Sequence, residues 1–438
     1  MRARWRARSL AVIDDAEAFR RPLGGYFRDR FAPMDAKPAK LNVLFVSPYL
    51  ILPPIHGGAV FMSQTCHHLA RLTELNLVTL LDSPHEEGPH AELAARCGSA
   101  VFMLRMEGHQ KAFGSILPHA INEYASADLE WILHRQLLLR QIDVLQLEYL
   151  QLGQYACDLK RIGVFLFEHD IYFQSVGRQF RFMTGISRRI SAAYEYLRGL
   201  RYELMLLRSF DRVQVCSTDN EEFVKGFLPD GGARLDAHYR AGIDVARYEY
   251  HSGPRTPFTM LFLGSFRHAP NVEALEWLVH HVMPQVLRRQ PDAGLTVIGS
   301  DPPPRHSLPE MGDAIDLRGY VEDIHEPMRQ ASVFLCPIRS GSGVRVKLLE
   351  SFASGIPVVS TRLGAEGIAH EDGEICRLAD DPAEFAERIL AIFQDPAAAE
   401  AMAARARREM EEHWDMAKRT QALVECYRTT VETKRRTA

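Results

Sequence analysis

The sequence predicts an α/β protein made of two doubly wound, Rossmann-like domains that face each other across a cleft. The chain has 438 residues, which is too long for one ordinary hydrophobic core and suits two domains. From Leu41 onward short apolar runs alternate with helical patterns, as in parallel sheets covered by helices on both faces. Two such series are separated by a polar stretch at residues 242–258 that contains glycine and proline.

Each half of the chain has its own candidate strands. In the first half they are LNVLFVSP, LVTLL, VFMLR, IDVLQLEY, VFLFEHD and RVQVCST, and in the second half TMLFLGS, GLTVIGS, IDLRGY, SVFLCPI and IPVVST. We therefore expect an N-terminal extension at 1–40 that is disordered, an N-terminal domain at 41–245 and a C-terminal domain at 246–405. A last helix at 406–438 should return toward the N-terminal domain.

Composition narrows the class of protein. Hydrophobic residues make up 46% and charged residues 25%, as in soluble globular proteins, and no apolar run approaches the ~20 residues of a membrane span. A formal net charge of -4 gives no reason to expect nucleic acid as a partner. The seven cysteines are scattered without a CxxC pair, which argues for a reducing compartment and against a zinc site or a disulfide framework. We expect a cytoplasmic protein.

Ligands of doubly wound sheets lie beyond the carboxyl ends of the strands, so the turns after strands are where chemistry is expected. The first such turn contains Gly57 and Gly58 before a predicted helix. Glycines there allow backbone N–H groups to approach a phosphate or sugar at the positive end of a helix. The alternative is a flexible turn without a ligand, and an isolated glycine pair does not decide between the two.

The second turn follows the apolar strand VFLF and contains His169 and Asp170. Polar residues at the end of a buried strand should emerge at its mouth and line a site. In the alternative reading, the histidine is satisfied by its neighbours and Asp170 caps the next element.

The third turn is the stretch RSGSGVRVKLLESFASGIPVVST at residues 339–361. The amides of residues 341–343 can face an anion at the start of the next helix, and Arg345 and Lys347 add positive charge at the same end. Glu350 is suited to accept hydrogen bonds from sugar hydroxyls, as an acidic residue does in dinucleotide folds. Alternatively, Lys347 and Glu350 form an ordinary exposed i,i+3 ion pair.

Taken together with its surroundings, this stretch resembles a known family. The segment GYVEDIHEPMRQASVFLCPIRSGSGVRVKLLESFASGIPVVSTRLGAEGI is similar to the nucleotide-sugar half of retaining glycosyltransferases of family 4, which have the GT-B fold. SPYLILPPIHGG, IDVLQLEY, EHD, VCSTDNEEF, AGID and LFLGSFRHAPNVEALEWL agree with the family in the same order. The resemblance covers about residues 41–430, and it includes a subgroup with a G-x-G-x-R-x-K-x-x-E donor-site pattern.

The resemblance implies roles for individual residues. Glu350 matches the second glutamate of the E-x7-E motif, which binds the nucleotide ribose. The amides of Gly341, Ser342 and Gly343 would contact the phosphates or the sugar of the donor. His169 matches a histidine that approaches the transferred sugar.

Four glycines are implied in donor binding by the same comparison. Gly57 and Gly58 match an N-domain loop that closes over the donor. Gly364 and Gly367 occur where the family's chain passes close to the donor. In this scheme the N-terminal domain takes the acceptor and the C-terminal domain takes the nucleotide sugar.

The sequence departs from the family pattern at two places. The first glutamate of E-x7-E is replaced by Ser342, and the basic residues after the first C-domain strand are replaced by Ser265 and Pro270. The charge of a diphosphate must still be balanced in a cleft of low dielectric.

We therefore assign phosphate binding and catalytic electrostatics to Arg345 and Lys347, with Arg267 as a weaker candidate. The resemblance implies transfer of a sugar from a nucleotide-diphosphate donor with retention, without a metal or other cofactor. A non-catalytic sugar-nucleotide-binding or scaffold protein, favoured by the missing glutamate, and a sugar-nucleotide epimerase are the alternatives. An NAD-dependent enzyme is disfavoured because no GxGxxG opens a helix after the first strand of either half.

The acceptor is expected to be a glycan or a lipid-linked molecule of cell-surface synthesis. Between EHD and RVQVCST, arginines accompany Phe, Tyr, Leu and Ile in RQFRFMTGISRRISAAYEYLRGLRYELMLLR. Such a surface can rest transiently on anionic lipid at the inner membrane face. Helices with solvated arginines packed over the sheet are the alternative.

Overall fold

The computed structural model describes residues 7–9, 40–105, 115–156, 161–180, 183, 185–228, 234–304, 308, 312–321 and 323–437. It contains two sheets, and each is flanked by helices. Of the expected extension at 1–40, only Ala7–Ser9 and Lys40 are among the described residues. Within the described ranges, no helix combines the length and the apolarity that crossing a bilayer requires.

The N-terminal sheet has seven parallel strands and one short antiparallel strand at its edge, in the order β1-β4-β3-β2-β5-β6-β7-β8. Its strands are β1 Ala7–Ser9, β2 Asn42–Ser47, β3 Glu74–Leu81, β4 Ser99–Leu104, β5 Val144–Glu148, β6 Gly163–Phe167, β7 Arg212–Gln214 and β8 Leu235–Asp236. The central strands are apolar and buried on both faces, since helices cover both sides. The antiparallel edge strand and β8 were not expected from the sequence.

The helices of this half are α1 Gly57–Leu72, α2 Ala91–Ala94, α3 His119–Glu123, α4 Ala127–Leu139, α5 Tyr172–Gln179, α6 Ile186–Leu206 and α7 Thr218–Lys225. Helix α1 begins at the Gly57–Gly58 pair, and the His56 side chain caps it by accepting from the Ala59 amide at 3.2 Å. Helices α4 and α6 join consecutive parallel strands on one face of the sheet, and α1 covers the other face.

The C-terminal sheet has six parallel strands in the order β11-β10-β9-β12-β13-β14. They are β9 Thr256–Leu263, β10 Gly294–Ile298, β11 Ile315–Leu317, β12 Ala331–Cys336, β13 Val358–Ser360 and β14 Arg377–Leu378. The five strands expected for this half are present, and β14 is added at the edge. The sheet order reverses between β9 and β12, which places the turns after these two strands next to each other.

The helices of the C-terminal half are α8 Ala269–Trp277, α9 Met283–Arg289, α10 His325–Gln330, α11 Val346–Ser354, α12 Pro382–Gln394, α13 Pro396–His413 and α14 Met416–Thr437. Helix α11 ends at Gly355, whose φ of +77° is the left-handed conformation that favours glycine. The aspartates before α12 and α13 cap those helices, and each is followed by a proline at the first helical position.

Helix α14 packs on the N-terminal domain. Leu423, Val424, Tyr427 and Val431 belong to the core on the α1 side of the first sheet. The Tyr427 hydroxyl donates to Gln146 Oε1 at 2.7 Å. The chain crosses between the domains twice, near Ile243 and near Asp415, and these two crossings bond to each other through the backbone.

One boundary differs from the expectation. The helix that returns to the N-terminal domain begins at Met416, not near residue 406, because α13 is a separate helix that packs against α11 in the C-terminal domain. The sharp change of direction occurs at Trp414 and Asp415.

Candidate functional site

The turns after β2, β6 and β12 meet where the two domains face each other. A Cβ on Gly57 would lie 3.0 Å from Val346 Cγ2, at the start of α11. A Cβ on Gly343 would lie 2.5 Å from the carbonyl oxygen of His169. The chain thus approaches closely from both domains. A side chain has no room at position 343, whereas one at position 57 would require Val346 to shift by a few tenths of an ångström.

The loop of residues 341–343 has a special backbone conformation. Gly341 and Gly343 have φ values of +93° and +79°, which are left-handed and disfavour other residues. Ser342 lies between them and is buried. Its hydroxyl accepts a hydrogen bond from the Ile171 amide at 3.1 Å, so this loop of the C-terminal domain is bonded to the N-terminal domain.

Arg345 folds back onto its own loop. Its guanidinium donates to the carbonyl oxygens of Ser342, Gly343 and Ser340, the second at 2.9 Å. Burial lowers its pKa. The side chain therefore holds the shape of the loop and places a positive charge directly beneath it.

Lys347 reaches across to the turn that follows β9. Its Nζ donates to the Leu263 carbonyl and to Asn271 Oδ1, both at 2.8 Å, and lies 4.8 Å from the centre of the Phe262 ring. Burial lowers the pKa of Lys347 to about 8, and the charge of Arg345 acts in the same direction. The ammonium group thus stands at the turn in which Ser265 and Pro270 occupy the positions where the resemblance would place basic residues.

Glu350 takes a different partner from the one that its spacing suggests. The hydroxyl of Tyr248 donates to Glu350 Oε1 at 2.8 Å, and Lys347 bonds to the β9 turn instead. The alternative prediction, an exposed i,i+3 ion pair between Lys347 and Glu350, is therefore wrong. Burial raises the pKa of Glu350 to about 7, although the Tyr248 hydrogen bond and the charge of Lys347 oppose the rise.

His169 is part of a buried ionic network. Its Nε2 lies 2.9 Å from Glu148 Oε2, and Arg240 binds both oxygens of Glu148 at 2.7 and 2.8 Å. Because the carboxylate accepts, Nε2 carries the proton and Nδ1 is left as an acceptor. Nδ1 is buried and has no hydrogen-bond partner among the described residues. Burial lowers the pKa of His169, so the ring is neutral near pH 7.

Gly58 fixes the surroundings of this ring. Tyr149 stacks on His169 with ring centres 3.7 Å apart and an interplanar angle of 7°. A Cβ on Gly58 would lie 1.7 Å from the Tyr149 hydroxyl and 3.2 Å from His169 Nδ1. Any larger residue at position 58 must displace the stacked pair.

Two more histidines stand near His169 and Lys347. Burial and the proximity of His169 and His268 lower the pKa of His56 to about 4. Burial and the positive charge of Lys347 lower the pKa of His268. All three rings are neutral at pH 7, so the positive charge near the glycine loop comes from Lys347, Arg345 and Arg178, which donates to the Gly341 carbonyl oxygen at 2.8 Å.

Gly364 lies within the C-terminal domain and Gly367 at the domain boundary, on a segment that Arg178 links to the glycine loop by also donating to the Gly341 carbonyl oxygen at 2.8 Å. A Cβ on Gly364 would lie 2.6 Å from the Cys336 carbonyl oxygen, within its own domain. The Gly367 amide donates to Asp219 Oδ2 at 2.9 Å across the domain boundary. Between the two glycines, Glu366 binds Arg178 of the N-terminal domain.

Arg267 is not brought to the other cations. Its side chain is 71% exposed and pairs with Asp301 at 2.6 Å. Most of the predicted residues thus converge on the cleft, with Gly57, Gly58 and His169 on one side and the 341–343 loop, Lys347 and Glu350 on the other.

The sequence reasoning missed Glu148, Tyr149, Arg240 and Tyr248. Glu148 and Tyr149 end the strand IDVLQLEY, and a charged residue at the end of a buried strand is the signal that could have identified them. Arg240 and Tyr248 carry no local signal, since their partners are distant in the chain.

A metal site does not emerge from the described part of the chain, where no three His, Cys, Asp or Glu side chains come together to hold an ion.

The region of the second sheet matches a known protein family. Residues 257–395, from β9 to the end of α12, match the family model described as glycosyl transferases group 1. This range contains the 341–343 loop, Lys347 and Glu350.

Two curated relatives match parts of the chain. An uncharacterized 44.6 kDa protein in the cps region of Klebsiella pneumoniae is 29% identical over 142 residues, 30% of this chain and 36% of that protein. A GDP-mannose-dependent monoacylated alpha-(1-6)-phosphatidylinositol monomannoside mannosyltransferase of Corynebacterium glutamicum is 26% identical over 198 residues, 40% of this chain and 52% of that protein. The chain therefore spans about a third to a half of the length of these relatives.

Solved structures match over most of the chain. Sucrose-phosphate synthase from Thermosynechococcus elongatus has a TM-score of 0.69 at 16% identity and covers 90% of this chain and 100% of its own. Anabaena HepE in complex with UDP has a TM-score of 0.63 at 12% identity, with 89% and 100% covered. These likenesses confirm the predicted fold class, GT-B, with two Rossmann-like domains.

Proposed function

We propose that this protein is a retaining glycosyltransferase that moves a sugar from a nucleotide-diphosphate sugar to a glycan or lipid-linked acceptor of the cell surface. The observation that carries the proposal is the position of Lys347. Its ammonium group lies at the turn after β9 and beside the glycine loop, so two turns and one cation surround the same space.

Phosphate binding is the first part of this proposal. A diphosphate carries two negative charges at least, and it needs compensation in a cleft of low dielectric. Lys347 supplies a point charge, and the amides of the 341–343 loop supply oriented dipoles at the start of α11. Arg345 adds charge and holds the loop through three carbonyl oxygens. Such fixed groups stabilise a leaving diphosphate without reorganising.

Ribose binding is assigned to Glu350, one helical turn beyond Lys347. One of its oxygens accepts from Tyr248, and the other is available for a ribose hydroxyl. The sugar lies on the opposite side, toward His169. The neutral ring with an unpartnered Nδ1 is suited to accept a hydrogen bond from a sugar hydroxyl.

Donor binding is tested by calorimetry with UDP, GDP, ADP and their glucose and mannose sugars. Because HepE is described in complex with UDP and the Corynebacterium relative as GDP-mannose-dependent, UDP and GDP are the first two nucleotides to measure. We expect one nucleotide to bind. Lys347→Met and Glu350→Gln should each weaken it by roughly tenfold or more, since each removes a charged hydrogen-bonding group.

Variants of two exposed arginines are measured in the same assay. Arg267→Met tests the weaker phosphate candidate. Arg318→Met, which removes an exposed arginine paired with Asp316, is the matched control and should leave affinity unchanged. If none of the nucleotides binds the native protein, the donor assignment is wrong. If one binds but no acceptor yields a glycoside, the scaffold alternative is favoured.

The acceptor proposal draws on the relatives and on one surface. The Klebsiella relative lies in a cps region, and the Corynebacterium relative is described as acting on a phosphatidylinositol mannoside. Helix α6 exposes a row of apolar side chains at helical spacing, each between 49% and 80% exposed: Ile186, Ile190, Tyr194, Leu197 and Met205. Exposed arginines accompany this row at positions 188, 189, 201 and 208.

Acidic side chains of α6 do not oppose that charge at the surface. Glu203 is buried, and the Glu195 side chain is 12% exposed and paired with Arg198. An apolar row with arginines suits an anionic bilayer, in which each basic residue near the surface contributes about 1 kcal/mol.

Liposome flotation tests the membrane contact. Ile190→Glu should abolish binding to vesicles of anionic phospholipid at low salt, whereas Phe227→Glu, at an exposed apolar residue outside α6, should not. Native protein that stays with the soluble fraction at low salt would rule the contact out.

A further inference from the structure

Asp170 stands at the meeting point of the two domains with one oxygen free. It directly follows His169 at the end of the β6 strand, and a Cβ on Gly343 would lie 3.7 Å from its Cα. Its Oδ2 accepts from the Ser175 hydroxyl at 3.1 Å. Its Oδ1 has no hydrogen-bond partner among the described residues and is not among the buried polar atoms without a partner. The carboxylate therefore keeps one acceptor for a ligand.

A chain of hydroxyls ties this carboxylate to the glycine loop. Ser175 Oγ lies 2.9 Å from Ser342 Oγ, and Ser342 Oγ accepts from the Ile171 amide. Because Ser175 gives its single hydroxyl proton to Asp170, its oxygen is left to accept from Ser342, whose hydroxyl also lies 3.4 Å from the Ile171 carbonyl oxygen. These hydrogen bonds run from Ser342 through Ser175 to the carboxylate of Asp170, and they orient this carboxylate across the domain boundary.

The two neighbouring residues offer the same kind of group. His169 presents Nδ1 as an unpartnered acceptor, and Asp170 presents Oδ1. Arg345, on the opposite side, contributes positive charge that acts to keep Asp170 ionised, although burial raises the pKa of that carboxyl. Adjacent acceptors around the glycine loop match a ligand that carries several hydroxyl donors.

We propose that Asp170 is a positioning and specificity residue that accepts hydrogen bonds from hydroxyls of the donor sugar, held in place by Ser175 and Ser342. This inference rests on the proposed function. Position 342 carries a hydroxyl in place of a carboxylate, and the carboxylate is supplied from the other domain. Residues of both domains are then needed to bind the sugar.

Calorimetry separates the sugar from the nucleotide. The quantity measured is the ratio of the Kd of the free nucleoside diphosphate to the Kd of its sugar, for UDP with UDP-glucose and GDP with GDP-mannose. Asp170→Asn should leave the Kd of the nucleotide unchanged and weaken the nucleotide sugar by about 10- to 100-fold, the loss of a charged hydrogen bond. Ser175→Ala keeps the carboxylate and should give a smaller loss in the same direction.

The control variant is Asp219→Asn. It removes a carboxylate that also crosses the domain boundary, by accepting from the Gly367 amide, but away from His169. It should leave the ratio unchanged. A second test restores the charge: Ser342→Glu in the Asp170→Asn background should recover part of the lost affinity for the nucleotide sugar.

The possible results distinguish the role of Asp170 from the donor assignment. An equal ratio in Asp170→Asn and native protein, with native thermal stability, overturns the role of Asp170 and leaves the donor assignment intact. A loss of nucleotide and nucleotide sugar in equal measure also overturns it, because Asp170 would then act only on domain packing. Absence of nucleotide binding by the native protein overturns the proposed function and this inference with it.

Discussion

Replacing Arg240 with methionine should destabilise the N-terminal domain by about 3–5 kcal/mol, which is the cost of leaving a buried charge without its partner. Arg240 and Glu148 are both fully buried and joined by two hydrogen bonds of 2.7 and 2.8 Å. Burial opposes the charge of Arg240, but attraction to Glu148 outweighs it and the pKa of Arg240 rises. Methionine fills much of the same volume, so the loss measures mainly the buried Glu148 carboxylate, which keeps only its hydrogen bond to His169.

The guanidinium has a second contact that methionine partly preserves. It lies 4.6 Å from the centre of the Phe167 ring and 5.4 Å from that of Phe45. The cation–π part of these contacts is worth about 0.5–2 kcal/mol, less than the charge that remains unpaired. The ionic term therefore dominates the expected loss.

The assay is urea unfolding followed by circular dichroism, with hydrogen exchange of β5 and β6 to locate the loss. Arg247→Met is the matched control: it removes a half-exposed arginine from Asp244, which keeps its contact with His68, and this should cost less than about 1 kcal/mol. In the double variant Arg240→Met with Glu148→Gln the buried charge is gone, and stability should exceed that of either single variant. A loss below about 1 kcal/mol in Arg240→Met, or purely additive losses in the double variant, would refute the reasoning.

Three further outcomes are expected. Gly58→Ala should weaken nucleotide-sugar binding, because its methyl group must displace the Tyr149 ring, and a native affinity would contradict the close approach. Burial raises the pKa of Glu203 to about 8. The stabilisation of the fold by protonated Glu203 is therefore complete at pH values below the ordinary pKa of a glutamate, and it is lost as the pH rises through 8. Thermal unfolding at pH 6 and pH 9 should therefore show a fall that is smaller in Glu203→Gln. Affinity for UDP-glucose or GDP-mannose should be bell-shaped in pH, rising near 7 as Glu350 ionises and falling near 8 as Lys347 loses its proton; a flat profile would exclude both groups.

Local pattern was enough for most of the fold, and the reasons are physical. Strands such as β6 and β12 are covered on both faces, so they appear as largely apolar runs that can be found by composition alone. Since parallel strands end at the same edge, the polar residues after them could be expected to meet. The two-residue strands β8 and β14 are too short to produce such a run.

Pairings between distant residues could not be predicted in the same way. Tyr248 and Glu350 are 102 positions apart, and Arg240 and Glu148 are 92 apart, so neither pair has a spacing that a helix or strand would produce. The direction of a surface side chain is equally inaccessible: Arg267 follows the right strand, yet it pairs with Asp301 in solvent. Local spacing places residues on elements, and only tertiary packing decides which partner each one meets.

The return of helix α14 to the N-terminal domain has a consequence for how the chain is made. The second domain is continuous from β9 to α13, so it is complete soon after its last residue leaves the ribosome. The first domain, although it is translated first, lacks Leu423, Tyr427 and Val431 until helix α14 has been synthesised, and the part of the sheet face that α14 covers beside α1 stays exposed until then. We expect the nascent N-terminal half to need protection from aggregation, and to become resistant to protease only after α14 has left the ribosome.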